Sequence, residues 1–156
     1  ARCGTLHPEP DQDSLSMASP TQFKLQIVSA DRSIVDETVD EVEIPGSEGY
    51  FGVLAGHTPL LALLGTGELW YRQGSELTYV SLSGGFAEVQ PDRVTILAQI
   101  AERSDEIDIA RAEAAKRRAE ERLSTPQPDL DFERARISLM KSLIRLQVAT
   151  RARVRG

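Results

Sequence analysis

The 156 residues carry 24 acidic and 18 basic side chains, and the formal net charge of −6 argues against general nucleic-acid binding by the whole molecule. A lone cysteine, Cys3, excludes an intramolecular disulfide framework and a cysteine-rich metal site. The longest wholly apolar stretch near the middle is Leu60-Leu61-Ala62-Leu63-Leu64, far short of a membrane span, and Ala1 to Pro20 lacks a signal-peptide core, so cytosolic exposure is the expectation.

Residues 1–20 mix Pro, Asp, Ser and Gly without periodicity and read as a disordered extension. From 21 to 103 the pattern is that of short strands. Phe23, Leu25 and Ile27 alternate with Lys24 and Gln26, and Val42 and Ile44 alternate with Glu41 and Glu43. Leu69 and Tyr71 flank Trp70, Leu77 and Tyr79 flank Thr78, and Val94 and Ile96 flank Thr95. Period two with a polar opposite face predicts half-buried strands. Turn signals punctuate them at Pro45-Gly46-Ser47-Glu48-Gly49, Gly65-Thr66-Gly67, Gly74-Ser75, Gly84-Gly85 and Pro91-Asp92. Strands this short with turns this close predict an antiparallel β-sandwich or barrel.

Residues 104–150 change to a helical pattern, with a basic tail at 151–156. Ser104 or Asp105 is the expected helix cap, and Asp105, Glu106 and Asp108 suit the positive end of the helix dipole. The first helix is thin, with Ala110, Ala112, Ala114, Ala115 and Ala119; the second is bulky, with Phe132, Ile137, Leu139, Met140, Leu143, Ile144, Leu146 and Val148. Small residues facing large ones permit close antiparallel packing, and the bulky helix then needs a second apolar cover. Pro126 and Pro128 forbid a continuous helix, so the two fold back as a hairpin.

Both helices carry cations at one spacing. Arg111, Arg118 and Arg122 sit at i, i+7 and i+11, and Arg134, Lys141 and Arg145 repeat it. Seven residues make about two turns, so each set shares a face. Folding at the prolines brings Arg111 to Lys141 and Asp108 towards Arg145. Arg forks favour phosphate, so this convergence is a candidate anion or nucleotide site, against the plainer alternative of two solvated basic faces. Charge is also divided along the chain: residues 1–104 hold 15 acidic and 6 basic groups, net −9, and 105–156 hold 9 and 12, net +3. Two parts of opposite sign should seek different partners, or each other.

Other candidates carry less chemistry. His57, in Gly56-His57-Thr58-Pro59, has no nucleophile or metal-ligand cluster with it and reads as a turn residue. Ser83-Gly84-Gly85 lacks the strand-to-helix context of a phosphate loop and reads as a tight hairpin turn. In the Gly-rich segment from Pro45 to Leu54, Tyr50 and Phe51 either tuck into the core or form a contact patch. No feature supports an enzyme.

Taken together, Gly46-Ser47-Glu48-Gly49, Gly56-His57-Thr58-Pro59-Leu60-Leu61, Ser83-Gly84-Gly85-Phe86, Val89-Gln90-Pro91-Asp92 and Ile107-Asp108-Ile109-Ala110-Arg111-Ala112 resemble the epsilon subunit of bacterial F-type ATP synthase over about residues 23–149. The resemblance implies a β-sandwich followed by a two-helix hairpin, in a non-catalytic central-stalk subunit. It implies docking to the gamma subunit and the c-ring, with Ser47, Glu48, Tyr50, Phe51 and His57 at that interface. It implies inhibition of ATP hydrolysis when the hairpin extends, Arg134, Arg136 and Arg145 then meeting a catalytic beta subunit. ATP would hold the hairpin contracted as a regulatory ligand, through Glu102, Asp108, Arg111, Arg118, Lys141 and Arg145, with no cofactor required. Tyr50 stands where an acidic residue is frequent in that family, and Lys141 where its ATP binders carry Arg. The implied location is the cytoplasmic face of the bacterial cell membrane, with the membrane met only through the complex. Two other readings compete: a stand-alone nucleotide-sensing hairpin domain, and a hairpin arm that grips RNA or unfolded protein.

Overall fold

A computed structural model describes residues 20–125, 128–129 and 131–154. The expected disordered extension therefore lies outside the described residues, apart from Pro20, as does Pro126. The strands are β1 (Phe23–Val28), β2 (Ser33–Val39), β3 (Glu41–Gly46), β4 (Gly49–Leu54), β5 (Leu60–Leu63), β6 (Thr66–Gln73), β7 (Glu76–Val89) and β8 (Arg93–Arg103). A 3-10 turn (Ser104–Glu106) leads into the helices α1 (Ile109–Ser124) and α2 (Phe132–Val154).

The strands hydrogen-bond in the order β2-β1-β8-β7-β6-β3-β4, with β5 added to β7, and β2 packs on β6 so that the sheet closes over one core. Leu25, Ile27, Val42, Ile44, Leu69, Tyr71, Val94 and Ile96 are fully buried in it, as the alternation predicts. The sandwich is antiparallel except that β1 and β8 run parallel. The parity of β7 differs from expectation. Val80 and Leu82 enter the core, while Tyr79 lies on the opposite face, beneath α2.

The Ser83-Gly84-Gly85 segment is a correction. It is no hairpin turn, because β7 runs through it unbroken, pairing with β6 over Glu76–Ser83 and with β5 over Phe86–Val89. Gly84 and Gly85 take φ of +68° and +112°, and a Cβ on Gly85 would collide with the Leu97 carbonyl of β8. Glycine is needed here for backbone approach as well as for positive φ. The bend lets one strand serve both halves of the sandwich.

The helical cap also differs. Ser104 and Asp105 lie in the 3-10 turn, and Asp108 caps α1, its side chain accepting the Arg111 N–H at 3.1 Å. Ile107 between them is extended and buried with Val148 and Ala149 of α2, so the chain cannot start its helix earlier. Asp131 accepts the Arg134 N–H at 3.1 Å at the start of α2.

The seam between the helices joins small residues on both sides, where the sequence suggested small against large. Ala112 and Ala119 of α1 are buried, as are Ala135, Ser142 and Ala149 of α2. Each set repeats every seven residues and so shares one face, which lets the backbones approach closely. The cost is that Phe132, Ile137, Met140 and Leu143 remain exposed.

Candidate functional site

A cavity of about 380 Å³ lies where the sheet meets the hairpin. Glu102 of β8, Arg111 of α1, and Lys141 and Arg145 of α2 line it, with Ser81 and Ser83 of β7 among the sheet residues beneath. The expected fold-back thus holds for Arg111 and Lys141, which share this cavity. Its size lies within the usual range for small-ligand sites.

Two of the three cations are uncommitted: among the described residues neither Arg111 nor Lys141 forms a salt bridge. The third is already engaged. Arg145 donates from Nε to Glu102 Oε2 at 2.6 Å and from Nη2 to Glu102 Oε1 at 3.2 Å, a two-point guanidinium–carboxylate contact. Both side chains are largely shielded, at 20% and 26% exposure. Three cations against one carboxylate leave the cavity with a formal charge of +2, chemistry suited to a polyanion.

The other candidate residues fall elsewhere. Asp108 is outside the cavity lining and caps α1 through Oδ1; Glu102 takes the place beside Arg145 where folding at the prolines was expected to bring Asp108. Arg118 lies two turns further along α1, exposed, in a shallow depression with Glu121 and Arg122. Arg134 and Arg136 are exposed in the first turns of α2, with Arg136 paired to Glu133 at 3.3 Å.

At the sandwich end, Ser47, Glu48, Tyr50 and Phe51 line a groove of about 530 Å³ with Leu60 to Leu63. The open choice for the aromatics resolves by period two on β4. Tyr50 points outward and is 55% exposed, its hydroxyl accepting the Glu68 N–H at 3.3 Å, while Phe51 packs on the core. His57 lies outside this groove, half-buried in its turn, with Nδ1 at 2.6 Å from the Thr58 carbonyl.

One feature escaped the sequence reading. Leu63, Phe86 and Leu97 stand opposite one another across β5, β7 and β8, each more than half exposed, with Leu61 beside them at 71%. A contiguous apolar row on a sheet face marks a contact surface. The signal was the alternation of Leu61 and Leu63 with Ala62, but strand pairing alone assembles the row. Among the described residues no helix is long and apolar enough to cross a membrane, and no His, Cys, Asp or Glu group is placed to hold a metal ion.

Comparison with known proteins matches both halves. Residues 22–104 match the family described as ATP synthase, Delta/Epsilon chain, beta-sandwich domain, and residues 105–150 match its long alpha-helix domain. The ATP synthase epsilon chain of Syntrophobacter fumaroxidans is 49% identical over 128 residues, 82% of this chain and 96% of that one. The epsilon chain of Koribacter versatilis is 50% identical over 107 residues, 69% of this chain and 75% of that one. Among solved structures, a chain in the Euglena gracilis mitochondrial ATP synthase (OSCP/F1/c-ring, rotational state 1) aligns with a TM-score of 0.71 at 26% identity, covering 95% of this chain and 91% of its own.

Proposed function

The chain belongs to the ATP synthase delta/epsilon family, and on that premise we propose that its two halves divide docking from regulation. It is an epsilon-type subunit of the ATP synthase central stalk, with no catalytic role of its own. The sandwich docks to the gamma subunit through the apolar row at Leu61, Leu63, Phe86 and Leu97, and to the c-ring through Ser47, Glu48, Tyr50 and Phe51 of the adjoining groove, joined by His57 outside it; Leu61 and Leu63 belong to both surfaces. Burying an exposed apolar row in a multisubunit complex releases its water, which favours association. On this reading the chain works at the cytoplasmic face of the bacterial membrane, which it reaches through the complex.

The hairpin is the regulatory half. In its contracted form it binds ATP, and when extended it presents Arg134, Arg136 and Arg145 to the beta subunit and slows hydrolysis. The cavity carries this reading, because its two uncommitted cations, Arg111 and Lys141, come from different helices and face one ligand-sized space only while the hairpin is closed. A ligand that binds one state selectively shifts the population towards it. Calorimetric titration of the full chain with ATP tests the idea. Saturable binding is expected, weakened by Arg111→Ala about ten- to hundredfold through loss of a charge-assisted fork. Lys141→Arg should tighten it by restoring planar phosphate recognition. Arg118→Ala should leave it unchanged, since that side chain lies outside the cavity. No heat at millimolar ATP would remove the nucleotide role and leave the stalk assignment standing.

A further inference from the structure

Two carboxylates on the outer face of the sheet each meet an arginine of α2. Glu68 of β6 stands opposite Ser81 of β7, and Ser81 stands opposite Glu102 of β8, so the three form one cross-strand row. Arg145 binds Glu102 through two hydrogen bonds. Arg151 binds Glu68 from Nε at 3.4 Å, and its guanidinium lies over the Tyr79 ring, 5.3 Å from the centroid.

The spacings agree. Neighbouring strands lie about 4.8 Å apart, so carboxylates two strands apart are separated by about 9.6 Å. Six residues of helix rise about 9 Å. An α2 lying across the strands therefore matches Arg145 to one acid and Arg151 to the other. Between the two pairs, Val148 and Ala149 rest on Ile107, with Tyr79, Ile109 and Ile144 at the margin. This apolar contact is small.

The last turns of α2 provide the main attachment of the hairpin. Helix α2 packs on β6, β7 and the 3-10 turn, whereas the principal packing of α1 is against α2. We infer that the row Glu68–Ser81–Glu102 is an electrostatic latch that docks the C-terminal half of α2, and that α1 follows passively when the latch opens. The two acids are not equivalent. The Glu68 side chain is only 9% exposed, so losing Arg151 would leave a nearly buried carboxylate without its partner. Release of the helix returns that carboxylate to water, so the sheet itself then favours the open state.

The inference rests on the reading of a movable hairpin, yet its test is a distance within the isolated chain, separate from any effect on hydrolysis. Spin labels on Glu76→Cys and Gln147→Cys, in a Cys3→Ser background, report sheet-to-helix distance by pulsed electron resonance. At low ionic strength one short distance should dominate. Neutralising either acid, as Glu68→Gln or Glu102→Gln, should raise the released-to-docked ratio about fivefold, and both together about twenty-fivefold. Salt should act on the parent in the same direction and have little effect on the double variant. Arg151→Ala should release more than Glu68→Gln, because it strands the buried charge. Exchanging the charges as Glu102→Arg with Arg145→Glu should return docking towards the parental level. A double glutamine variant that stays docked, or a parent indifferent to salt, would overturn the latch and assign the hold to the Val148 contact. The reverse order of Arg151→Ala and Glu68→Gln would overturn it as well.

Discussion

Replacing Leu61 and Leu63 by serine tests the docking face most directly. Full burial of a leucine side chain contributes about 1.5–3 kcal/mol. At 71% and 58% exposure, most of that remains to be gained on association, so the pair should contribute about 3 kcal/mol to binding. Their loss predicts an affinity for purified gamma subunit lower by about a hundredfold. The chain's own stability should fall by only about 1 kcal/mol, since less than half of each side chain is already covered. Ile96→Val supplies the control. That residue is fully buried in the core, so the change should cost about 0.5–1.5 kcal/mol of stability and leave association alone. Titration calorimetry against gamma, with urea unfolding of each free variant, separates the two quantities. If the double serine variant bound within threefold of the parent, the apolar row would not be the docking face. If affinity tracked stability across all three proteins, the loss would reflect unfolding and the argument from exposure would fail.

The glycines at the β7 bend and at the β6–β7 turn should part company: Gly85→Ala collides with the Leu97 carbonyl and should cost well over 3 kcal/mol, while Gly74→Ala, at φ +61° with open space around it, should cost only the backbone strain of about 1–2 kcal/mol. Urea midpoints of the two variants give the comparison, and equal costs would contradict the close approach. Acid should act through Asp40, whose carboxyl is held below its ordinary pKa by the Gly74 N–H at 2.6 Å, then by Gln22 at 3.1 Å and the Arg72 guanidinium. A depressed carboxylate contributes stability above its unfolded pKa of about 4 and loses it as pH falls through the lower folded value. Unfolding midpoints taken from pH 6 to pH 2.5 should therefore fall less steeply for Asp40→Asn than for the parent; parallel curves would dismiss the clamp.

What the chain states locally, the sequence shows. Alternation in β1, β3, β6 and β8 identifies their buried members because a strand half in contact with a core must alternate, whatever it pairs with. The hairpin and the meeting of Arg111 with Lys141 follow from helical spacing and two prolines, again local geometry. The errors lie where one segment's environment depends on another far along the chain. Val80 and Leu82 rather than Leu77 and Tyr79 face the core because β7 is set by its pairing with β6 and β8, and α2 then claims Tyr79. Gly84 and Gly85 look like a turn from their neighbours, and only the Leu97 carbonyl of β8 shows why the strand continues through them. Neither the carboxylate row nor its arginines could be matched beforehand, since Glu68 and Arg151 are separated by 83 positions. A side chain's partner across such a gap is fixed by strand register and helix placement, and these are properties of the packed whole.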